Sequence, residues 1–231
     1  AQARSYFSKD NYYREGDSEQ TRWGGKLAEE FGIDGQAVDA ELFFQMLNGR
    51  MPTGEKVQYS GKGEDGKSKH KPATDLTFSA PKDVSIALYH GGDTRISGAF
   101  QRAMEKTMQF AERDLAVWRK TENGKTQHEQ TGNLLWASFE HDTNRAEEAQ
   151  LHYHVLTLNA TRAPDGSLHA LENRPLFQNQ MLLTAINNAE LRQEMEKLGY
   201  HTYDLEGGKN GEFGLVEIDR DFALEKSSRR Q

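Results

Sequence analysis

The sequence predicts an α+β fold, in which an antiparallel sheet carries helices on one side. Two long segments, Ile96–Lys120 and about Asn179–Lys197, have apolar residues at the three- and four-residue spacing of helices. Short runs rich in β-forming residues are separated by polar or glycine-rich turns, as expected for strands joined in hairpins. The predicted strands are Leu76–Ser79, Leu134–Phe139, Leu151–Leu158, Tyr200–Leu205 and Glu212–Ile218.

The amino-terminal part is predicted to contain short helices and a loop. Ala1–Asn11 has apolar residues on one side, Lys26–Phe31 is followed by Gly32, and Asp39 can cap Ala40–Leu47, which Gly49 ends. The glycines around Trp23 predict a loop there, and the glycine- and lysine-rich segment Pro52–Pro72 predicts a mobile one. Asp83 is a candidate cap for Val84–Leu88, a segment that is either helical or extended.

Two turns and a short helix are predicted near the carboxyl end. Pro164-Asp165-Gly166 indicates a turn, and Gly207–Gly211 indicates the turn of a hairpin. Asp219–Lys226 is predicted to form the last helix.

Composition limits the classes of protein to which the chain can belong. A length of 231 residues with 35% hydrophobic residues is enough for one large domain with a core. Cysteine is absent, so histidine and carboxylate groups are the available metal ligands. No apolar run is long enough to cross a bilayer and no signal peptide opens the chain, which predicts a cytoplasmic protein.

The net charge of −7 argues against binding nucleic acid by charge alone. Local basic groups remain, and the candidate DNA contacts are Lys69, Lys71, Lys82 and Arg162. Because non-specific attraction is weak, affinity for DNA would depend on base contacts and on a folded DNA shape.

Three histidines predict a metal site. His152 and His154 are two residues apart in a predicted strand, and alternate side chains of a strand lie on one face. His141 ends the preceding strand, and a hairpin through the polar segment Asp142–Gln150 brings it beside the pair. Three neutral imidazoles leave coordination positions open, as a catalytic metal requires. A pair of surface histidines is the alternative interpretation.

Tyrosines and an aspartate form the second group of candidates. Tyr6, Tyr12 and Tyr13 are either an aromatic patch on the first helix or nucleophiles that attack phosphorus. A phenol has an ordinary pKa of about 10, so a nucleophile would need a metal or a base nearby. Asp75 opens a strand; it is either an ordinary strand-start residue, a partner of a metal-bound histidine or a base.

These motifs together resemble those of conjugative relaxases of the TrwC/TraI (MobF) class. His141 with Gln150–His154 is similar to the three-histidine motif of that family, and Asp75–Ser85 is similar to its second motif. Ser5–Phe7 with Asn11–Tyr13 is similar to its amino-terminal tyrosine motif. Further matches are Thr131–Leu134, Trp23–Lys26 and Leu198–Tyr200.

The resemblance implies a single-strand DNA transesterase of the His-hydrophobe-His superfamily, with a palm-like sheet, flanking helices and a carboxyl-terminal segment that closes over DNA. It implies Tyr6 as the first nucleophile and Tyr12 or Tyr13 as the second, with Asp75 as a supporting group or base. It also implies a divalent metal, Mg²⁺ or Mn²⁺ in the cell and Zn²⁺, Ni²⁺ or Co²⁺ as substitutes in vitro. The implied metal ligands are His141, His152 and His154.

The resemblance further implies the setting of the reaction. The expected substrate is single-stranded DNA with a hairpin at an origin of transfer (oriT), and the expected partners are accessory proteins and a coupling protein. We expect residues 1–231 to be a monomeric relaxase domain at the amino-terminal end of a longer relaxase-helicase. Family members usually have a strand ahead of the tyrosines; because this sequence starts almost at the tyrosines, that strand is either absent or trimmed from this sequence.

Three other functions remain open at this point. A rolling-circle replication initiator would share the chemistry, although such proteins usually have the tyrosine after the histidines. A module that binds hairpin DNA without cleaving it would use the basic and aromatic residues alone. A histidine-metal hydrolase of small substrates would use the metal without a covalent adduct.

Overall fold

The computed structural model contains both helices and strands, and it describes residues 21–59, 71–122, 124–143 and 148–225. The strands are β1 (Thr21–Gly24), β2 (Ala73–Ser79), β3 (Val117–Glu122), β4 (Lys125–Gln130), β5 (Trp136–Thr143), β6 (Ala149–Leu158), β7 (Thr161–Arg162), β8 (Leu168–His169), β9 (Thr202–Asp204) and β10 (Phe213–Leu215). The helices are α1 (Lys26–Glu30), α2 (Ala40–Leu47), α3 (Lys82–Tyr89), α4 (Arg95–Leu115), α5 (Arg174–Gln178), α6 (Gln180–Lys197) and α7 (Arg220–Glu225).

The main sheet has four strands in the order β1-β5-β6-β2. Strand β1 is antiparallel to β5, with Trp23 opposite Ala137. Three two-stranded antiparallel ladders join β3 to β4, β7 to β8 and β9 to β10. This combination of antiparallel strands and separate helices confirms the predicted α+β class. None of the helices in the described ranges is long and apolar enough to cross a membrane.

The described residues form two compact units. The first contains residues 21–59, 71–76, 110–122, 124–139 and 154–178. Its core is aromatic: the Phe43 ring lies 6.0 Å from the Trp23 ring and 5.6 Å from the Phe139 ring, measured between centroids. All three side chains are at most 3% exposed. The Trp23–Phe43 pair is tilted and the Phe43–Phe139 pair is edge-to-face, and an edge-to-face pair stabilises beyond the apolar area that it buries.

Two glycines and a buried glutamate fix the start of α1 in the first unit. A Cβ on Gly24 would lie 2.1 Å from the Trp136 ring, and Gly25 has a φ of +95°, a conformation that favours glycine. The backbone N–H groups of Lys26 and Leu134 both donate to Glu112 Oε1 at 2.8 Å. The sequence motifs at Trp23–Lys26 and Thr131–Leu134 therefore have a structural role here.

The second unit contains residues 77–109, 140–143, 148–153 and 179–225. In it, the buried Glu194 carboxylate of α6 accepts hydrogen bonds from Arg102 and Lys197, each at 2.7 Å. Asp83 is 3% exposed, and its carboxylate accepts a hydrogen bond from Leu215 N at 3.0 Å. Polar contacts thus link α4 to α6 and α3 to β10 within this unit.

Several local predictions are confirmed. Asp39 caps α2, where its carboxylate accepts a hydrogen bond from Leu42 N at 2.8 Å. Helix α6 spans the predicted segment and is followed by Gly199 with a φ of +99°. The hairpin around Gly207–Gly211 is present as β9 and β10. These features depend on residues close in sequence, which explains their accuracy.

Three predictions are wrong, each because distant residues decide the local structure. Trp23 and Gly24 lie in β1, since β5 supplies the hydrogen-bonding partners. The helix predicted at Ile96–Lys120 ends at Leu115, because Trp118 belongs to β3 and pairs with β4. Asp83 lies inside α3, which begins at Lys82, so it does not cap that helix. The predicted helix Ala1–Asn11 lies outside the described residues.

Candidate metal and nucleic-acid site

His141 and His152 lie together in the second unit. Their rings are stacked, with centroids 5.3 Å apart and an interplanar angle of 27°. His141 comes from β5 and His152 from β6, which are neighbours in the sheet. The hairpin topology that the sequence predicts thus places these two histidines side by side.

A backbone carbonyl sets the orientation of His152. Its Nδ1 lies 2.9 Å from the Gln150 carbonyl oxygen, and a carbonyl can only accept, so we assign the proton to Nδ1. In that tautomer Nε2 carries the lone pair, as a metal ligand needs. His152 is buried, which limits the contact of its ring with solvent.

A carboxylate sets the orientation of His154 in the first unit. Its Nδ1 lies 2.9 Å and 3.1 Å from the two Asp75 carboxylate oxygens, and an ionised carboxylate only accepts. Nδ1 therefore donates and Nε2 again carries the lone pair. Metal-ligating histidines almost always donate their other N–H to a carboxylate, carbonyl or water. The contact places Asp75 where a supporting group for a histidine ligand would be.

The histidine environments fit a divalent metal. Both assigned tautomers leave Nε2 as the electron-pair donor, and His152 and His154 are alternate residues of β6, so they share a side of that strand. Within the described ranges, no three histidine or carboxylate side chains are already arranged as a complete metal-binding group. The meeting of all three histidines at one ion therefore stays a prediction.

Two side chains within the family motifs, those of Gln150 and Ser85, fix the start of β6 through contacts that the motifs do not reveal. The Gln150 side-chain amide donates to the Ala80 carbonyl at 2.9 Å, and Leu151 N donates to Ser85 Oγ at 3.0 Å. These partners lie far away in sequence, so neither spacing nor composition could have indicated them. These two bonds fix the strand at the two residues directly before His152, Gln150 and Leu151.

Glu140 is a group that the sequence analysis missed. Ser97 Oγ of α4 donates to both Glu140 carboxylate oxygens at 2.9 Å, and the Tyr153 hydroxyl donates to the same carboxylate. The Tyr153 ring contacts Phe100, with centroids 5.2 Å apart. Strand alternation could have indicated that Glu140 and Tyr153 lie on the side of β5 and β6 opposite the histidines.

The predicted nucleophiles Tyr6, Tyr12 and Tyr13 lie outside the described residues. Of the tyrosines that the structure describes, several are unsuited to attack because burial disfavours the phenolate. Burial raises the pKa of Tyr59 to about 12. Burial also raises the pKa of Tyr89, assisted by the charges of Glu140 and Asp142, and it raises the pKa of Tyr200.

The candidate DNA contacts have different environments. Lys71 is exposed, and its ammonium group lies 5.0 Å from the centroid of the Phe177 ring. Lys82 Nζ donates to the Ala149 carbonyl at 3.1 Å. Arg162 forms ion pairs with Glu55 and Glu30, and the Glu55 hydrogen bond is the main reason that its pKa is raised. Because two carboxylates already compensate its charge, Arg162 is a poor phosphate contact. Lys69 lies outside the described residues.

Comparison with known proteins places these features in a family. The model of the TrwC relaxase family matches residues 1–231. The chain belongs to the TrwC relaxase family. It is 38% identical over 215 residues to the multifunctional conjugation protein TraI of Escherichia coli, a match that covers 89% of this chain. The same match covers 12% of TraI, so the chain spans about an eighth of that relative's length.

Solved structures of TrwC relaxases agree with this assignment. The chain superposes with a TM-score of 0.84 on conjugative relaxase TrwC in a metal-bound complex with oriT DNA, at 38% identity and covering 99% of this chain and 75% of that one. The TM-score is 0.83 for TrwC with a 27-mer DNA comprising the recognition hairpin and the cleavage site, covering 96% and 76%. A copper-bound TrwC complex is also similar, with a TM-score of 0.83.

Proposed function

We propose that this chain nicks one DNA strand at an origin of transfer and later rejoins the strand, as a metal-dependent tyrosine transesterase acting in conjugation. The observation that carries the proposal is the pair of contacts at Nδ1, from His152 to the Gln150 carbonyl and from His154 to Asp75, which assign the lone pair of each ring to Nε2. Membership of the TrwC relaxase family supplies the reaction class.

The histidines have the role of ligands in this proposal. His141, His152 and His154 would hold the ion, and Asp75 would keep the His154 ring in its tautomer and direction. When bound, a divalent cation supplies neutralisation of charge on the phosphate oxygens. We expect Mg²⁺ or Mn²⁺ to serve in the cell. The contact with His154 favours a positioning role for Asp75 over that of a general base.

The nucleophile is proposed to be Tyr6. Its phenol oxygen attacks the scissile phosphorus, a phosphotyrosyl bond forms to the 5′ side, and the bond to the 3′ oxygen breaks. The phenol proton passes to a base or to water, and the departing 3′ oxygen takes up a proton. Because the phosphodiester energy is kept in the covalent link, the reverse reaction can rejoin an incoming 3′ hydroxyl. Tyr12 or Tyr13 is proposed for a second transfer.

The proposed substrate is single-stranded oriT DNA that carries a hairpin. Lys71 and Lys82 are candidates for phosphate contacts, together with Lys69, whereas Arg162 is omitted because Glu30 and Glu55 compensate its charge. The exposed Phe177 ring beside Lys71 adds an aromatic surface of the type that stacks on bases. Replacing Lys71 with Ala should reduce the salt dependence of DNA binding by about one phosphate contact.

We further propose that the chain is one domain of a longer relaxase-helicase, acts as a monomer in the cytoplasm, and works with accessory proteins and a coupling protein. The match to about an eighth of TraI supports the first part. The absence of cysteine suits a reducing compartment. The remaining parts are expectations from the resemblance to conjugative relaxases.

Mass spectrometry of a covalent adduct tests the proposal. The chain would be incubated with Mn²⁺ and single-stranded oligonucleotides that carry an oriT hairpin and cleavage site. We expect a mass increase that corresponds to the 5′-phosphorylated fragment, located on Tyr6 by peptide mapping. The adduct should be lost with Tyr6→Phe and retained with Tyr59→Phe, a half-buried tyrosine that serves as the control. A normal yield from Tyr6→Phe would exclude Tyr6 as the first nucleophile.

The same experiment separates the other functions. Tight binding without an adduct, and without dependence on Mn²⁺, would favour a non-cleaving hairpin-binding module. Turnover of a model phosphodiester without an adduct would favour a hydrolase. An adduct that forms only at a replication origin would favour a rolling-circle initiator.

A further inference from the structure

Two contacts connect the same pair of strands in the second unit, and they lie on opposite faces. His141 and His152 stack on one face. The residues next to them, Glu140 and Tyr153, form a hydrogen bond to each other. Because successive side chains of a strand point to opposite faces, this bond lies behind the histidine pair.

We propose that Glu140, Tyr153 and Ser97 form a clamp that positions the His141–His152 pair for metal binding. This proposal rests on the proposed metal-dependent function. Glu140 accepts hydrogen bonds from β6 through Tyr153 and from α4 through Ser97, so one carboxylate connects three elements. A contact that fixes the position of Glu140 also restricts its neighbour His141. In the same way, a contact that fixes Tyr153 restricts His152.

The surroundings make the clamp rigid. The Tyr153 ring is 4% exposed and contacts the fully buried Phe100 of α4. Both carboxylate oxygens of Glu140 accept from Ser97 at 2.9 Å. The relative position of β5 and β6 is therefore fixed at the residues that adjoin the two histidines.

The clamp is distinct from the two contacts that orient individual rings. The Gln150 carbonyl fixes the tautomer of His152, and Asp75 fixes that of His154. Glu140 comes directly before His141 in β5, so its side chain lies on the opposite face of the strand, where it connects β5 to β6 through Tyr153. Glu140 and Tyr153 are thus positioning residues, whose removal should weaken metal binding without changing the ligand atoms.

Calorimetric titration with Zn²⁺ in the absence of DNA tests the clamp, because imidazole ligands suit Zn²⁺. Tyr153→Phe and Glu140→Ala should each weaken Zn²⁺ binding by about tenfold, the lower end of the effect expected for groups that support metal ligands. Glu140→Gln retains an oxygen that can accept from Tyr153 and Ser97, so it should restore most of the affinity. An equal loss with Gln and Ala would mean that the charge, and not the position, is responsible, and would overturn the proposal.

Tyr200→Phe is the matched control. Tyr200 also donates to a carboxylate in the second unit, that of Asp93, at 3.0 Å, and neither residue adjoins a histidine of the pair. Tyr200→Phe should lower the midpoint temperature of thermal unfolding about as much as Tyr153→Phe does, and it should leave Zn²⁺ affinity unchanged. If Tyr153→Phe loses only thermal stability and retains its Zn²⁺ affinity, the clamp has a purely structural role and the proposal fails.

The titration also separates the clamp from the proposed function. His152→Ala and His154→Ala should each abolish high-affinity binding if the histidines are ligands. Zn²⁺ binding that is insensitive to both variants would overturn the metal site and the clamp together. Binding that depends on the histidines but not on Glu140 or Tyr153 would overturn the clamp alone. Nuclear magnetic resonance of the His152 ring nitrogens should show an Nδ1–H tautomer in the wild type and in Glu140→Gln.

Discussion

The two units orient their histidines with different kinds of partner. In the second unit a backbone carbonyl, that of Gln150, accepts from His152 Nδ1. In the first unit a side chain, Asp75, accepts from His154 Nδ1. A backbone partner survives the replacement of its own side chain, whereas a carboxylate does not. The two histidines should therefore respond very differently to substitution of the residue that orients them.

The buried glutamates show the opposite contrast. In the first unit Glu112 accepts from two backbone N–H groups, and burial raises its pKa. In the second unit Glu194 accepts from Lys197 and Arg102, which lower its pKa to about 2. Each unit thus uses backbone partners for one group and side-chain partners for the other. The chemical identity of a buried residue does not by itself determine its electrostatic state.

The largest effect is expected for Asp75→Ala. Removal of the carboxylate frees the His154 ring to change tautomer, so metal affinity should fall about 10- to 100-fold, the range for groups that orient metal ligands. Titration of the chain with Mn²⁺ measures this. Asp75→Asn should lose less, because its amide oxygen can still accept from Nδ1. Unchanged affinity in Asp75→Ala would remove Asp75 from the site.

Glu194→Gln should lower the free energy of unfolding at pH 7 by about 1.5–3 kcal/mol, because charge-assisted hydrogen bonds to a buried group are lost. Urea denaturation measures the change. Lys209→Gln, at an exposed position of the same unit, is a control that should change stability little. A loss below the error of the measurement would show that Arg102 and Lys197 contribute nothing net to stability through Glu194.

Acid denaturation should carry the signature of Glu194. Its folded-state pKa of about 2 is below the ordinary value of 4.5, so its stabilisation is present above the ordinary value. That contribution is lost as the pH falls from 4.5 through about 2. Stability curves of the wild type and Glu194→Gln, measured between pH 7 and pH 2, should converge at the acid end. Parallel curves would contradict the lowered pKa.

Glu112→Gln should change stability at pH 7 by less than about 1 kcal/mol, although Glu112 is also buried. Both backbone donors contact the same oxygen, Oε1, and the amide oxygen of Gln can accept from both. The raised pKa of Glu112 means that its ionisation costs stability as the pH rises through the folded-state value. Removing the ionisable group should flatten that part of the profile, which urea denaturation at pH 5 and pH 8 would detect.

The smallest effect on metal affinity is expected for Gln150→Ala. The carbonyl that accepts from His152 Nδ1 belongs to the backbone, so metal affinity should change less than about threefold, well below the range for a lost supporting group. The side-chain bond to the Ala80 carbonyl would be lost, with a cost in stability of about 1 kcal/mol. A large loss of affinity would show that the side chain, and not the carbonyl, positions His152.

The sequence by itself determined the features that depend on near neighbours. Strand alternation placed His152 and His154 on one side of β6, Asp39 specified the start of α2, and Gly199 followed the end of α6. These features follow from backbone geometry within a few residues. The family motifs can likewise be recognised in the sequence, because each is a short continuous segment.

Only the tertiary structure decided which atoms surround those residues. It ended α4 at Leu115 because the next residues pair with β4, and it placed Glu140 against Ser97 and Tyr153. Hydrogen-bond partners separated by many residues leave no periodic pattern in the sequence, because they are selected when the elements pack together. The candidate ligands and Asp75 could thus be proposed from the sequence, whereas the contacts of Glu140 with Ser97 and Tyr153 could not.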